Sequence, residues 1–306
     1  PVPLMAFVHG TALLMYQHEI EGTDPEYPPR FHPRWIRERV FDDVGGVFVI
    51  SESQKERFLT VFDEYDSDRV FVTPNGIDPN TFHVDDTLNR DAVLAQFPTK
   101  PYEGSAQAPV QIPGGYDRMV FFAGKFADIK RIDTLLHAAT AYESAVGRAG
   151  MKVATVIAGS GPLEDQRLYQ DMAVELGLSD VFFVGPQSQP DLALLYNVAD
   201  VGVFPTKFEA FGLVFLECMA CGTPVVGTAA GGPTEFVDPS VGELVYDFDT
   251  NAEFGTALGE TVSRALLEDW KRSKSAGALD RASQYTITVQ GDRMLRAYRS
   301  LFEAAR

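Results

Sequence analysis

Residues 118–159, "RMVFFAGKFADIKRIDTLLHAATAYESAVGRAGMKVATVIAG", decide the fold. Two continuous apolar runs, each closing on a glycine, flank a stretch whose apolar residues recur at helical spacing. A short strand that is apolar on both faces and is followed by a helix calls for a parallel sheet covered on both sides. The alternation continues downstream: "PLEDQRLYQDMAVELG" reads as helix, "DVFFVG" as strand, "DLALLYNVA" as helix, "VGVFP" as strand, "GLVFLECMA" as helix and "TPVVGT" as strand. Upstream, "GVFVIS" (46–51) and "RVFVTP" (69–74) read as strands around a helix capped by Ser51 or Ser53, with Glu56 three residues past Ser53. The expected class is α/β.

Residues 98–117, "PTKPYEGSAQAPVQIPGGYD", have no periodicity and are rich in Pro, Gly and small polar residues, so they read as a linker or exposed loop. This divides the chain into a domain at 1–97, a second at 118–285, and a last helix at 286–306. That helix carries Met294, Leu295, Tyr298, Leu301 and Phe302 at helical spacing, a stripe expected to pack back toward the first domain. The chain opens in "PLMAFVHG", a buried-strand pattern, so the front of the first domain is expected to precede residue 1.

The 306 residues, 45% of them hydrophobic and 11% aromatic, suffice for two domains. A formal charge of −17 argues against a nucleic-acid groove or an anionic-membrane patch, both of which recruit Lys and Arg clusters. No run approaches the roughly 18 apolar residues of a spanning helix, and "PVPLMAFVHG" shows neither a basic leader nor a cleavage site. A cytoplasmic protein without membrane association is expected. Cys218 and Cys221 spell C-x-x-C, but with no second Cys/His pair and an apolar helical setting they read as core thiols.

Ligands of parallel sheets bind at the carboxyl ends of the strands, and there the unusual residues collect. Gly124 is followed by Lys125 and Lys130, a spacing that suits a diphosphate clamp or, alone, a solvated basic loop. "GSGP" (159–162) lets backbone approach a ligand at Gly159 and Gly161 ahead of a helix with unpaired amides. In "KFEAFGLVFLECMACG" (207–222), the amides of Phe211, Gly212 and Leu213 open a helix and suit an anion, with Glu209 in the loop before them. Glu217 lies a turn inside, surrounded by apolar residues. An ionised carboxylate there is costly unless partners meet it. A ligand's paired hydroxyls would serve; so would a backbone amide or an arginine.

The segment "EAFGLVFLECMACGTPVV" resembles the E-x7-E region of the retaining GT-B glycosyltransferases of family 4, the group 1 glycosyltransferases. "PNGID" (74–78), "AGKFADIKRIDTLL" (123–136), "VIAGSGP" and "VFFVG" follow in that family's order, and "FVHG" (7–10) is similar to its active-site histidine strand. The resemblance implies a GT-B fold of two Rossmann-like domains, the first truncated here. It implies that Lys125 and Lys130 hold the donor diphosphate, Glu217 the ribose hydroxyls, and Glu209 the donor sugar. It further implies that the Phe211–Leu213 amides meet phosphate and sugar, that Val184 and Gly185 meet the base edge, and that His9 meets the sugar from the other domain.

Lys125 stands where the family more often has Arg, and Arg131 where Gly is common; both are expected to adjust phosphate contacts. The family's glycine-rich loop would precede residue 1.

The implied reaction moves a sugar from a nucleotide-sugar donor to a sugar or small-molecule acceptor with retention and no covalent enzyme intermediate. UDP is the default base, with GDP or ADP open. No cofactor or metal is expected: "DSD" (66–68) and "DFD" (247–249) imitate a metal motif but read as turns or caps. Competing readings are a sugar-nucleotide epimerase, a phosphorylase, disfavoured without a pyridoxal-phosphate lysine segment, and a non-catalytic nucleotide-sugar binding module. A glycosidase using Glu209 would need a second uncommitted carboxylate.

Overall fold

The computed structural model describes residues 4–8, 44–246 and 250–304. By their contacts they divide into two compact units. One comprises Pro1–Gly76, Glu209–Gly212 and Tyr285–Arg306; the other comprises Ile77–Phe208 and Leu213–Gln284.

In the first unit, β1 (Met5–Phe7), β2 (Gly46–Val49) and β3 (Val70–Val72) form a parallel sheet in that order, with Phe7 opposite Phe48 and Val49 opposite Val72. All four residues of β2, the central strand, are buried. Helix α1 (Glu52–Val61) is capped by Ser51, whose hydroxyl accepts from the Gln54 amide at 3.0 Å, while Gln54 Oε1 accepts from Ile50 N at 2.7 Å. The reciprocal partner is therefore Gln54, three residues after the cap, and not Glu56. Phe58 packs between Phe62 and Tyr65, at ring separations of 4.8 and 5.4 Å.

The last helix, here α9 (Ile287–Ala304), belongs to this unit: Tyr298 meets Phe48 edge-on at 5.6 Å, and Gln290 Oε1 accepts from Gly76 N at 3.1 Å. Its stripe is only partly covered, since Leu295 and Phe302 remain 54% and 43% exposed.

The second unit holds a six-stranded parallel sheet. In chain order its elements are α2 (Arg90–Leu94), β4 (Arg118–Ala123), α3 (Ile132–Arg148), β5 (Val153–Ala158), α4 (Leu163–Glu175) and β6 (Val181–Gly185). There follow α5 (Gln189–Val198), β7 (Val201–Phe204), α6 (Leu213–Ala220), β8 (Val225–Thr228), β9 (Gly242–Val245), α7 (Asn251–Leu267) and α8 (Trp270–Ser283). The strand order is β6-β5-β4-β7-β8-β9. The sixth strand, β9, carries Glu243 and Gly242 and lacks the apolar run that marks the other five.

The chain builds outward from β4 through β5 to β6, then returns to lay β7 on the other side of β4. That reversal opens a crevice at the carboxyl ends of β4 and β7. Phe121, Phe122, Tyr142, Tyr196, Phe215, Phe236 and Phe254 fill the core with side chains under 2% exposed. Each such burial stabilises by roughly 1.5–3 kcal/mol.

Residues 77–117, expected partly in the first domain and partly as a linker, make their contacts in this unit. Arg90 Nη2 pairs with the buried Asp200 carboxylate at 2.6 Å, and Arg90 Nε donates to Val198 O at 2.9 Å. Lys100 N donates to Phe183 O on edge strand β6 at 2.7 Å. Tyr116 OH donates to Asp180 at 2.6 Å. Among the described residues no helix is long and apolar enough to cross a membrane.

Candidate functional site

Three loops leave the carboxyl ends of β4, β5 and β6 and are stitched together by backbone. Gly124 N donates to Ala158 O at 3.0 Å, Phe126 N to Ser160 O at 2.9 Å, and Gly159 N to Gly185 O at 2.8 Å. They surround a cavity of about 570 Å³ lined by Gly124, Lys125, Gly159, Ser160, Gly161 and Gln187, among others. The glycines are required by space. A Cβ on Gly159, whose φ is 148°, would fall 1.8 Å from Gly124 O, and one on Gly161 would fall 2.3 Å from Phe126 O. The buried Phe126 anchors the loop after β4, edge-on to Tyr169 and Phe183. The amides at the start of α4, from Leu163, open on this rim.

Lys130 ends a single 3-10 turn, Asp128–Lys130, that follows the Lys125 loop. The turn is tied to the loop after β7: Ile129 O accepts from Thr206 Oγ1 at 3.0 Å and from Lys207 N at 2.8 Å, and Lys207 Nζ pairs with Asp128 at 2.5 Å. Arg131 then adopts the left-handed region, at φ 50° and ψ 45°, and turns its buried side chain inward so that the guanidinium lies 4.7 Å from the Phe254 ring centroid. The left-handed backbone accounts for the glycine common there in the family. Arg131 shapes the turn from the core side.

Glu217 lies on α6 among the buried Phe215, Leu216, Cys218 and Met219. Among the described residues its hydrogen-bond partner is the Tyr196 hydroxyl, at 3.5 Å. Burial pushes its carboxyl up to about 7, and the Tyr196 hydroxyl acts against that shift. The half-buried carboxyl is thus held close to its titration point, where a donor pair supplied by a ligand would favour the ionised form. Cys218 and Cys221 are free and buried, and burial pushes the Cys221 thiol up to about 12. They are inert core thiols.

At β6 the Val184 carbonyl accepts from Gln187 Nε2 at 2.7 Å. Gly185 (φ 71°) lies under the stem of Lys100, whose Cδ would be 2.5 Å from a Cβ there. Gly124, Lys125, Gly159 and Gly161 therefore line one cavity, while Lys130, Val184, Gly185, Leu213 and Glu217 stand in the same unit. Glu209, Phe211 and Gly212 group by contact with the first unit. There Ala210 O accepts from Ser51 Oγ at 2.9 Å, and the buried Phe211 packs 6.0 Å from Tyr285. Gly212, at φ 102°, is followed directly by α6.

His9 and residues 247–249 lie outside the described residues. Asp66 of "DSD" caps a 3-10 turn, its carboxylate accepting from Asp68 N at 3.0 Å. Sequence reasoning missed Ser160, Gln187, Tyr196 and the Thr206/Lys207 tie. For Gln187 the signal was available in "VFFVGPQ", two residues past a strand's carboxyl end.

Residues 117–264 match the family model described as glycosyl transferases group 1. A D-inositol 3-phosphate glycosyltransferase of Stackebrandtia nassauensis is 33% identical over 269 residues, covering 85% of this chain and 55% of that protein. The chain belongs to the group 1 glycosyltransferases, family 4. A family relative of the same description from Saccharomonospora viridis is 30% identical over 312 residues, covering 100% of this chain and 66% of its own length. The chain thus spans between about half and two thirds of the curated relatives it matches.

Among solved structures, sucrose-phosphate synthase from Thermosynechococcus elongatus superposes with a TM-score of 0.71 at 24% identity, covering 98% of this chain and 68% of that one. Anabaena Alr3699/HepE, in complex with UDP and glucose, superposes with a TM-score of 0.69 at 18% identity, covering 97% and 72%. The family fold, GT-B, is that of this chain.

Proposed function

We propose that the protein transfers a sugar, with retention, from a nucleotide-sugar donor to a hydroxyl of a small polar acceptor. The observation that carries this reading is the second-unit rim. A cavity ringed by close-packed glycines and Lys125 shares it with the Lys130 turn, and a carboxyl poised near neutrality stands on the helix that follows.

In the proposed step Lys125 and Lys130 meet the donor diphosphate, Glu217 accepts from the ribose hydroxyls, and the Val184–Gly185 backbone meets the base. Glu209, the Phe211–Leu213 amides and His9 take the sugar and phosphate roles that the family assigns to those positions. The bond between the anomeric carbon and the phosphate oxygen breaks as the acceptor oxygen bonds the same face of that carbon. The acceptor's proton passes to the departing phosphate oxygen. No protein nucleophile and no metal are needed; cations and helix-end amides stabilise the charge developing on the diphosphate.

UDP is the first donor nucleotide to test, supported by the UDP bound in Anabaena Alr3699/HepE. The names of the family relatives make a cyclitol phosphate the first acceptor. Calorimetric titration of UDP, GDP and ADP into wild type, Glu217→Ala and Lys130→Ala, with a transfer assay on the intact protein, tests the reading. Binding weakened by both substitutions supports it. A folded protein that binds none of the three overturns it, and donor isomerisation without acceptor would identify an epimerase instead.

A further inference from the structure

We infer that Gln187 discriminates the base of the donor, selecting bases whose edge presents a ring N–H beside a carbonyl. This rests on the nucleotide-sugar reading above and goes beyond it, since a base met by backbone alone leaves no side chain to set the choice.

The strand end at β6 is already engaged. The Gly185 carbonyl accepts from Gly159 N at 2.8 Å and the Val184 carbonyl from Gln187 Nε2 at 2.7 Å. Of the residues lining the cavity, only Lys125, Ser160 and Gln187 carry side-chain hydrogen-bonding groups. Lys125 is a donor of three equivalent protons, and the Ser160 hydroxyl rotates to give or take. Gln187 differs because its bond to Val184 O fixes the carboxamide: a flip would set Oε1 against a carbonyl oxygen. One Nε2 proton and Oε1 remain, a donor beside an acceptor in a set order.

A base edge that answers in the complementary order offers a carbonyl and a ring N–H. Held in one pose by the ribose and diphosphate, uracil and guanine present that order, whereas cytosine and adenine present the reverse, an amine beside a bare ring nitrogen. An edge of the reversed order leaves the Gln187 carboxamide and the base facing each other unpaired, which disfavours the analogue.

The test uses size-matched pairs, UDP against CDP and GDP against ADP, titrated into the intact wild-type protein, Gln187→Ala and Gln187→Met. In whichever pair the cavity admits, the imide member should bind about tenfold or more tighter to wild type. Both variants should reduce that ratio to about two or three by weakening the imide member. Inorganic pyrophosphate, which has no base, should bind wild type and variants alike.

A ratio unchanged in Gln187→Ala and Gln187→Met, or equal affinities within each pair for wild type, overturns the inference while leaving nucleotide binding intact. Loss of pyrophosphate binding in both variants assigns Gln187 a structural role and overturns it as well. Failure of wild type to bind any of the four nucleotides removes the nucleotide-sugar reading itself.

Discussion

The backbone of Gly159 runs so close to that of Gly124 that a Cβ on the first would stand 1.8 Å from the carbonyl oxygen of the second. The contact joins the ends of β4 and β5, and Gly159 also sits at a φ of 148° that other residues rarely adopt. Gly159→Ala combines overpacking with backbone strain and should destabilise the second unit by about 2–3 kcal/mol. Urea unfolding reads this directly; a change below about 0.5 kcal/mol would mean that the two loops separate freely, contrary to their backbone bonds.

Glu217 supplies a pH signature. Its carboxyl is held up at about 7, above its ordinary 4.5, by burial. Below pH 4.5 it is protonated in folded and unfolded chains alike and costs nothing. Between 4.5 and 7 the unfolded chain ionises first, so this group's contribution to stability falls as pH rises, and above 7 the penalty is constant. Glu217→Gln should therefore gain about 1–3 kcal/mol over wild type as pH climbs from 5 to 8.

A diol donating to the carboxylate lowers its pKa, so nucleotide binding to wild type should release a proton and tighten from pH 5 to 7. Calorimetry in buffers of different ionisation enthalpy measures that release. Glu143, also raised to about 7 by burial and the nearby Asp180, is an internal control whose titration the nucleotide should leave alone.

The strands were legible because both faces are buried, which writes five of the six strands of the second unit as apolar runs. The glycines at 159 and 161 stood out in "GSGP", and their reason is close backbone approach at the strand ends, where a Cβ would meet Gly124 O and Phe126 O. β9 was not legible, since Gly242 and Glu243 interrupt its apolar run and its two middle residues are only half-buried. The Gln54 cap partner lies in a local S-x-x-Q pattern that starts at Ser51, whereas the grouping of Glu209–Gly212 with the first unit and the inward turn of Arg131 depend on contacts distant in sequence or on a backbone φ. No local pattern encodes those two. The E-x7-E spacing marked two carboxylates but not the Tyr196 hydroxyl that faces one of them.

Arg90 tests where residues 77–97 belong. Its guanidinium pairs with the buried Asp200, which also accepts from Met119 N at 2.6 Å. Arg90→Ala leaves a buried carboxylate without its cation and should cost about 3 kcal/mol. Nucleotide affinity of the folded fraction should not change, because Asp200 precedes β7 at the opposite end of the sheet from the rim. A denaturation midpoint equal to wild type would place this segment outside the second unit's cooperative core.

The Lys207–Asp128 pair holds the Lys130 turn but is exposed, with side chains 38% and 85% accessible, so its own contribution to stability should stay under about 1 kcal/mol. Its effect should appear in binding. Lys207→Ala leaves the two contacts at Ile129 O in place but loosens the turn, and should weaken UDP severalfold with little change in Tm. Lys130→Ala should weaken UDP by about tenfold or more, corresponding to about 1.4 kcal/mol, while leaving uridine, which lacks the diphosphate, unaffected.

Because Lys acts as a point charge, the Lys130 effect should shrink as salt is raised. Equal losses for UDP and uridine in Lys130→Ala would place this lysine away from the phosphates and return the 125–130 segment to a solvated basic loop.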